Sequence, residues 1–171
     1  GFEQGYGMVD GDSASVTEIC ALLSALSNIP LKQSIAITGS VNQKGEIQPI
    51  GGVNEKIEGF FDVCKKKGLN GKNGVIIPSQ NVKDLMLKDE ILEAVKQKKF
   101  HVYCVSSVED AVEILTGFKA GKVLANGKHQ TNTVFGEVEK ELIAMRKRLK
   151  PETPKKNNSK PKEEIKNKET K

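Results

Sequence analysis

No apolar run in the 171 residues approaches the roughly 18 that a membrane span needs, and the first residues lack the charged-then-apolar order of a secretion signal. Membrane insertion by this segment is therefore not expected. Cysteine is scarce: Cys20, Cys64 and Cys104 are odd in number, widely spaced and each set in an apolar-periodic segment. They read as reduced, buried thiols, which suits a cytoplasmic protein better than a disulfide framework. The two histidines, His101 and His129, stand apart from any Cys or carboxylate at ligand spacing, so no metal site is expected and both read as structural. A phosphate loop is also missing. Gly117-Phe118-Lys119-Ala120-Gly121-Lys122-Val123 has three residues between its glycines where four are needed, and Val where Ser or Thr should follow Lys.

Most of the net charge of +5 sits at one end of the chain. Lys150 to Lys171 holds eight lysines against four glutamates, so the tail carries +4 and the remainder only +1. Without arginine or aromatic interleaving, such a tail reads as solvated and disordered, and no specific nucleic-acid partner is expected. Binding of polyanions by counterion release stays open for that tail alone.

The rest of the chain alternates between strand and helix patterns. Gly1 to Val9 reads as an extended strand entering a turn, and Ile19, Leu22, Leu23 and Leu26 mark a helix from Val16 to Ser27, ended by Asn28-Ile29-Pro30. Ser34 to Gly39 suits a strand, and Val41 to Ile50 a hairpin around Gln43-Lys44-Gly45. Gly51-Gly52 opens a helix from Val53 to Lys67, stopped at Gly68, with Ile57, Phe60, Phe61 and Cys64 on one face. A strand from Gly74 to Ile77, helical segments over Asn81–Leu87 and Glu90–Lys98, and a strand from Phe100 to Val105 follow. Next comes a helix capped at Ser106-Ser107 that carries Val108, Ala111, Val112 and Leu115. This order predicts an α/β (α+β) layer structure. Three divisions are expected: a domain over 1–117, a Gly-, Asn- and Lys-rich spacer with a final helix over 118–149, and the disordered tail over 150–171. The final helix follows Gly136, and its stripe of Val138, Leu142, Met145 and Leu149 would dock on the domain or on a neighbouring subunit; it is too short for a stable coiled coil, so docking within the chain is expected ahead of the other.

The chemistry concentrates at Val9-Asp10-Gly11-Asp12-Ser13-Ala14-Ser15. A turn that feeds a helix leaves backbone N–H groups without partners, and the helix dipole favours negative charge there. Ser13, with small neighbours Gly11 and Ala14, is placed for acyl chemistry. The ordinary alternative is a helix cap, since Ser15-Val16-Thr17-Glu18 fits a capping box. A serine hydroxyl needs a base, and no histidine pairs with an Asp to form a triad. A lysine can serve if burial disfavours its ammonium form. Most lysines here sit in solvated runs. Lys56 differs, because it lies in the first turn of the Val53–Lys67 helix, beside the apolar Ile57, where positive charge is least welcome. A surface lysine is the ordinary alternative.

Asp10-Gly11-Asp12-Ser13-Ala14-Ser15, then Ile37-Thr38-Gly39, then Ile50-Gly51-Gly52-Val53-Asn54-Glu55-Lys56 resembles the proteolytic domain of the Lon protease family. Asp12 stands where many members have Pro, which is similar to the archaeal-type and Lon-like branch. The resemblance covers Tyr6 to Gly117, and the spacer and its helix resemble the C-terminal extension of that branch. It implies Ser13 as nucleophile and Lys56 as general base of a Ser-Lys dyad. Asp10 would be an acidic residue near the dyad, Thr38 a hydroxyl orienting the lysine, and the N–H groups of Asp12 and Ser13 the oxyanion donors. It further implies a serine endopeptidase domain acting on unfolded or damaged polypeptide, ATP-dependent in a longer parent and assembled as a homo-oligomeric, hexameric ring. ATP and Mg would belong to an upstream AAA+ module, and no cofactor is expected in this chain. That module and the first part of the proteolytic domain are expected to be missing here, which makes the chain a fragment. A non-catalytic binding or assembly module on the same fold is the alternative.

Overall fold

β-Branched runs alternating with amphipathic segments pair side by side and need cover on both faces. The computed structural model, which describes residues 11–149, shows this arrangement. The elements run α1 (Ser15–Ser27), β1 (Ile35–Ile37), β2 (Ser40–Val41), β3 (Ile47–Gln48), α2 (Val53–Lys67), β4 (Asn73–Pro78), a 3-10 helix (Ser79–Asp84), α3 (Asp89–Lys96), β5 (Phe100–Val105), α4 (Val108–Thr116) and α5 (Val134–Leu149). β1, β4 and β5 form a parallel sheet in the order β1-β4-β5, and β2 and β3 make a separate antiparallel hairpin.

The central strand β4 decides the layering. Its side chains alternate, so Ile76 joins one core with Val16, Cys20, Val112 and Leu115 from α1 and α4. Val75 and Ile77 join the other, with Ile57, Phe61 and Ile91 from α2 and α3. Phe61 meets Phe100 edge to face, with ring centroids 5.2 Å apart. All three parallel strands end near one another, and the turn before α1 and the start of α2 gather beside that carboxyl end.

Three expectations need correction. The helix expected over Asn81–Leu87 is a 3-10 helix over Ser79–Asp84 followed by extended backbone at Leu85. The extended stretch lets Leu85 and Leu87 pack against the α2–α3 core. α5 begins at Val134, ahead of Gly136, because the buried Thr133 accepts a hydrogen bond from Gly136 N while Lys119 O and Ala120 O accept from Val134 N and Phe135 N. These bonds satisfy donors that a helix start leaves open. Cys104 is exposed, whereas Cys20 and Cys64 are buried, and burial pushes the Cys20 thiol up to about 11.

α5 does dock within the chain, mainly on α1. Only its first half is covered: Val134 and Val138 are buried, but Leu142 is 49% and Leu149 83% exposed. Glu139 ties the spacer to this helix by accepting from His129 N at 2.7 Å, and it sits 3.1 Å from His129 Nδ1. The bond from His129 N, followed by the side-chain bond, holds the Glu139 carboxyl below its usual range. His101 Nε2 contacts Gly71 O, so both histidines are partnered within the fold. Among the described residues no helix is long and apolar enough to cross a membrane. The strand expected over Gly1–Val9 and the disordered tail expected over Pro151–Lys171 lie outside the described residues.

Two outcomes follow from the packing. Phe61→Ala removes a buried ring between α2 and β5 and should cost about 3–5 kcal/mol, read as a lower denaturant midpoint. At pH 8 a thiol-alkylating reagent should label Cys104 first, with Cys20 protected by both its burial and its raised pKa; faster labelling of Cys20 would contradict this packing.

Candidate active site

Gly11 opens the turn at a φ of +86°, a conformation that side chains rarely adopt. The next residues are then sewn to the hairpin. Asp12 accepts a 2.5 Å bond from the hydroxyl of the buried Ser40, and its carbonyl accepts from both the Ser15 N–H and the Ser15 hydroxyl. Ser15 Oγ in turn accepts from Val41 N at 3.1 Å. The capping box, the ordinary alternative at Ser15, does not form. Ala14 is the residue at the N-cap, without a side-chain cap, because the Ser15 hydroxyl is already committed on both sides.

Ser13 itself is fixed through its carbonyl. Ser13 O accepts from Gly39 N at 2.9 Å and from Thr38 Oγ1 at 3.1 Å. Thr38 N is bonded to Ile76 O on β4, so the serine turn is tied to the central strand through the residue that follows β1. This leaves the half-buried Ser13 side chain facing the carboxyl end of the sheet, where open parallel sheets place their ligands.

Lys56 arrives from the other side. Gly52, at a φ of +67°, turns the chain into α2, and the helix bond from Lys56 N to Gly52 O places the lysine in the first full turn. Its Nζ donates to Ser13 Oγ at 2.8 Å and lies 3.5 Å from Thr38 Oγ1. The structure thus brings Ser13, Lys56 and Thr38 together around a cavity of about 300 Å³, whose other walls include Ala14, Thr17 and Ile37. One expectation is not met, because Lys56 is exposed rather than buried. α2 presents its apolar stripe of Val53, Ile57, Phe61 and Cys64 to the core, and Lys56 falls beside that stripe at the rim of the cavity.

Asp10 lies outside the described residues. The N–H groups of Asp12 and Ser13 donate to no backbone acceptor among the described residues. The sequence reading missed Ser40, which holds the Asp12 carboxylate, and two asparagines, Asn54 and Asn81, which brace the start of α2. Asn54 lies inside the lysine motif with no separate signal of its own, Ser40 is the first residue of β2 and Asn81 lies in the 3-10 helix after β4, positions where a polar residue has many ordinary uses.

Thr38→Val keeps the side-chain shape but removes the donor to Ser13 O. A loss of about 1 kcal/mol of stability is expected from the missing bond, measured by denaturant unfolding. An unchanged midpoint would show that the Gly39 N–H alone holds the turn.

Residues 4–117 match the family model of the Lon protease (S16) C-terminal proteolytic domain. Among the relatives, a putative Lon protease homolog of Escherichia coli is 57% identical over 114 residues, covering 67% of this chain and 20% of the relative. An archaeal Lon protease of Thermococcus kodakarensis is 41% identical over 66% of this chain and 16% of its own length. Another, from Archaeoglobus fulgidus, is 36% identical over 82% of the chain and 19% of its own length. The chain therefore spans a fifth or less of each of these relatives. With the serine turn, the threonine and the lysine helix in family order, the chain belongs to the Lon protease family, within its C-terminal proteolytic domain.

Proposed function

We propose that this chain is a serine endopeptidase domain in which Ser13 and Lys56 act as a dyad on peptide bonds of unfolded or damaged polypeptide. The observation that carries the reading is the 2.8 Å approach of Lys56 Nζ to Ser13 Oγ, two groups 43 residues apart in sequence. At that distance a proton passes directly between them. In its amine form Lys56 takes the Ser13 proton as Oγ attacks the substrate carbonyl carbon. The carbonyl oxygen becomes an oxyanion, for which the N–H groups of Asp12 and Ser13 are the proposed donors. Collapse of the tetrahedral intermediate breaks the C–N bond, and the ammonium of Lys56 returns its proton to the leaving amine. Water, deprotonated by the same amine, then attacks the ester and releases the acid.

Thr38 supports the dyad from two directions in this reading, through Ser13 O and beside Lys56 Nζ. Asp10 is proposed as an acidic group close to the dyad. In a longer parent the domain would work in a homo-oligomeric, hexameric ring in the cytoplasm, fed by an upstream AAA+ module that uses ATP and Mg. The names of the relatives support the protease assignment, and the dyad itself rests on the geometry.

The exposure of Lys56, together with the uncovered Leu142 and Leu149 of α5, favours one other reading: a non-catalytic module that keeps the fold and uses it for assembly. A single substitution separates the two. Ser13→Ala in the full-length protein should lower peptide hydrolysis by at least about 10³-fold, and Lys56→Ala should cost nearly as much because the two groups act as a unit. Full hydrolysis by Ser13→Ala would end the protease reading of this site.

A further inference from the structure

α2 carries Lys56 but enters through Gly51-Gly52, and apolar packing on its inner face is not directional. Something else has to set the height and rotation of its first turn. Two asparagines do this with both ends of their amides. Asn81, on the 3-10 helix after β4 and only 3% exposed, accepts from Ile50 N at 2.9 Å and donates to Ile50 O at 3.0 Å. It thereby holds the peptide groups just before the glycine pair, as a strand partner would. Its second amide hydrogen goes to Asp84 Oδ2 at 3.3 Å. Asn54, two residues before Lys56, reaches back the other way. It donates to Asp84 O at 3.0 Å and accepts from Met86 N at 2.8 Å.

The two side chains form a reciprocal clasp: the segment after β4 grips the chain before α2, and α2 grips the chain after that segment. Each amide uses its carbonyl and its NH2 group, so each orientation is set by the network, and an apolar replacement leaves backbone groups unpaired on both sides. Because β4 also holds Thr38 through Ile76 O, the clasp refers the lysine and the serine to the same strand.

We propose that Asn54 and Asn81 are positioning residues that hold the start of α2 where Lys56 reaches Ser13. The proposal rests on the dyad reading above. Neither asparagine touches Ser13 or Lys56 through a side-chain hydrogen bond; they act through the backbone on either side of Gly51-Gly52.

The test uses the full-length protein and a p-nitrophenyl ester, whose slow residual hydrolysis stays measurable when the base is missing. Asn81→Ala, Asn54→Ala, Lys56→Ala and the two double variants are compared, each with a thermal melt to establish that it is folded. A small misplacement of a catalytic group costs on the order of 10²-fold, so each asparagine variant should lower kcat by about 10- to 100-fold with KM within about twofold. In the Lys56→Ala background neither should lower the rate further, because the group they position is gone. An equal loss in both backgrounds would mean a structural role only and would overturn the proposal, while leaving the dyad intact. Full kcat in the asparagine variants beside a Lys56→Ala variant reduced to its residual rate would do the same. Full activity of Lys56→Ala would sink the dyad and the positioning role together. If Asn81→Ala does not fold, the half-buried Asn54→Ala carries the comparison.

Discussion

Ser13 O accepts two hydrogen bonds, from Gly39 N and from Thr38 Oγ1, and the geometry of the site depends on that joint. A serine on a glycine-led turn has many conformations. Bonded to the two residues that leave β1, it has one, and Thr38 N passes the constraint to Ile76 on the most buried strand of the sheet. Because β4 packs helices on both faces, the serine turn inherits the rigidity of the whole layered core. Ser40 and Asp12 add a second stitch between the turn and the hairpin.

The lysine is held by a different kind of force. α2 gains its energy from Ile57 and Phe61 in the core, a contribution proportional to area and indifferent to small rotations. A 2.8 Å contact tolerates no such freedom. The amide clasps at Ile50 and at residues 84–86 supply direction where apolar burial supplies only adhesion. This division of labour explains why a polar group as buried as Asn81 is tolerated: its hydrogen-bonding atoms are answered, so its burial costs little.

Much of this was legible in the sequence because the signals were local. The Gly52-to-Gly68 frame and the apolar stripe of α2 gave its bounds as they stand, and the aromatic and valine-rich run Phe100–Val105 did the same for β5. The meeting of Ser13 with Lys56 was expected on the order of three motifs, and the contact is there. What could not be read depended on partners distant in sequence. Whether Ser15 caps its own helix or joins Val41 is decided by a hairpin 26 residues away, and local propensity carries no trace of that choice. Asn81 looked helical by pattern, while its amide was claimed by Ile50, 31 residues earlier. Cys104 shares the face of β5 that carries the buried Phe100 and the half-buried Val102, yet its thiol is exposed, so period-2 alternation along the strand does not foretell its exposure. Lys56 follows the ordinary surface alternative in its exposure, because α2 places that residue just off its buried stripe.

The proposed dyad requires that Ser13 Oγ form a covalent bond to substrate with Lys56 as its base. Its most direct test is to mix the full-length protein with an activated peptide ester, quench in acid within the first turnover, and locate the acyl group by mass spectrometry. An acyl adduct is expected on Ser13 in the native protein and none on that time scale when Lys56 is replaced by alanine. An adduct on another residue, or Ser13 acylated equally fast without the lysine, would contradict it.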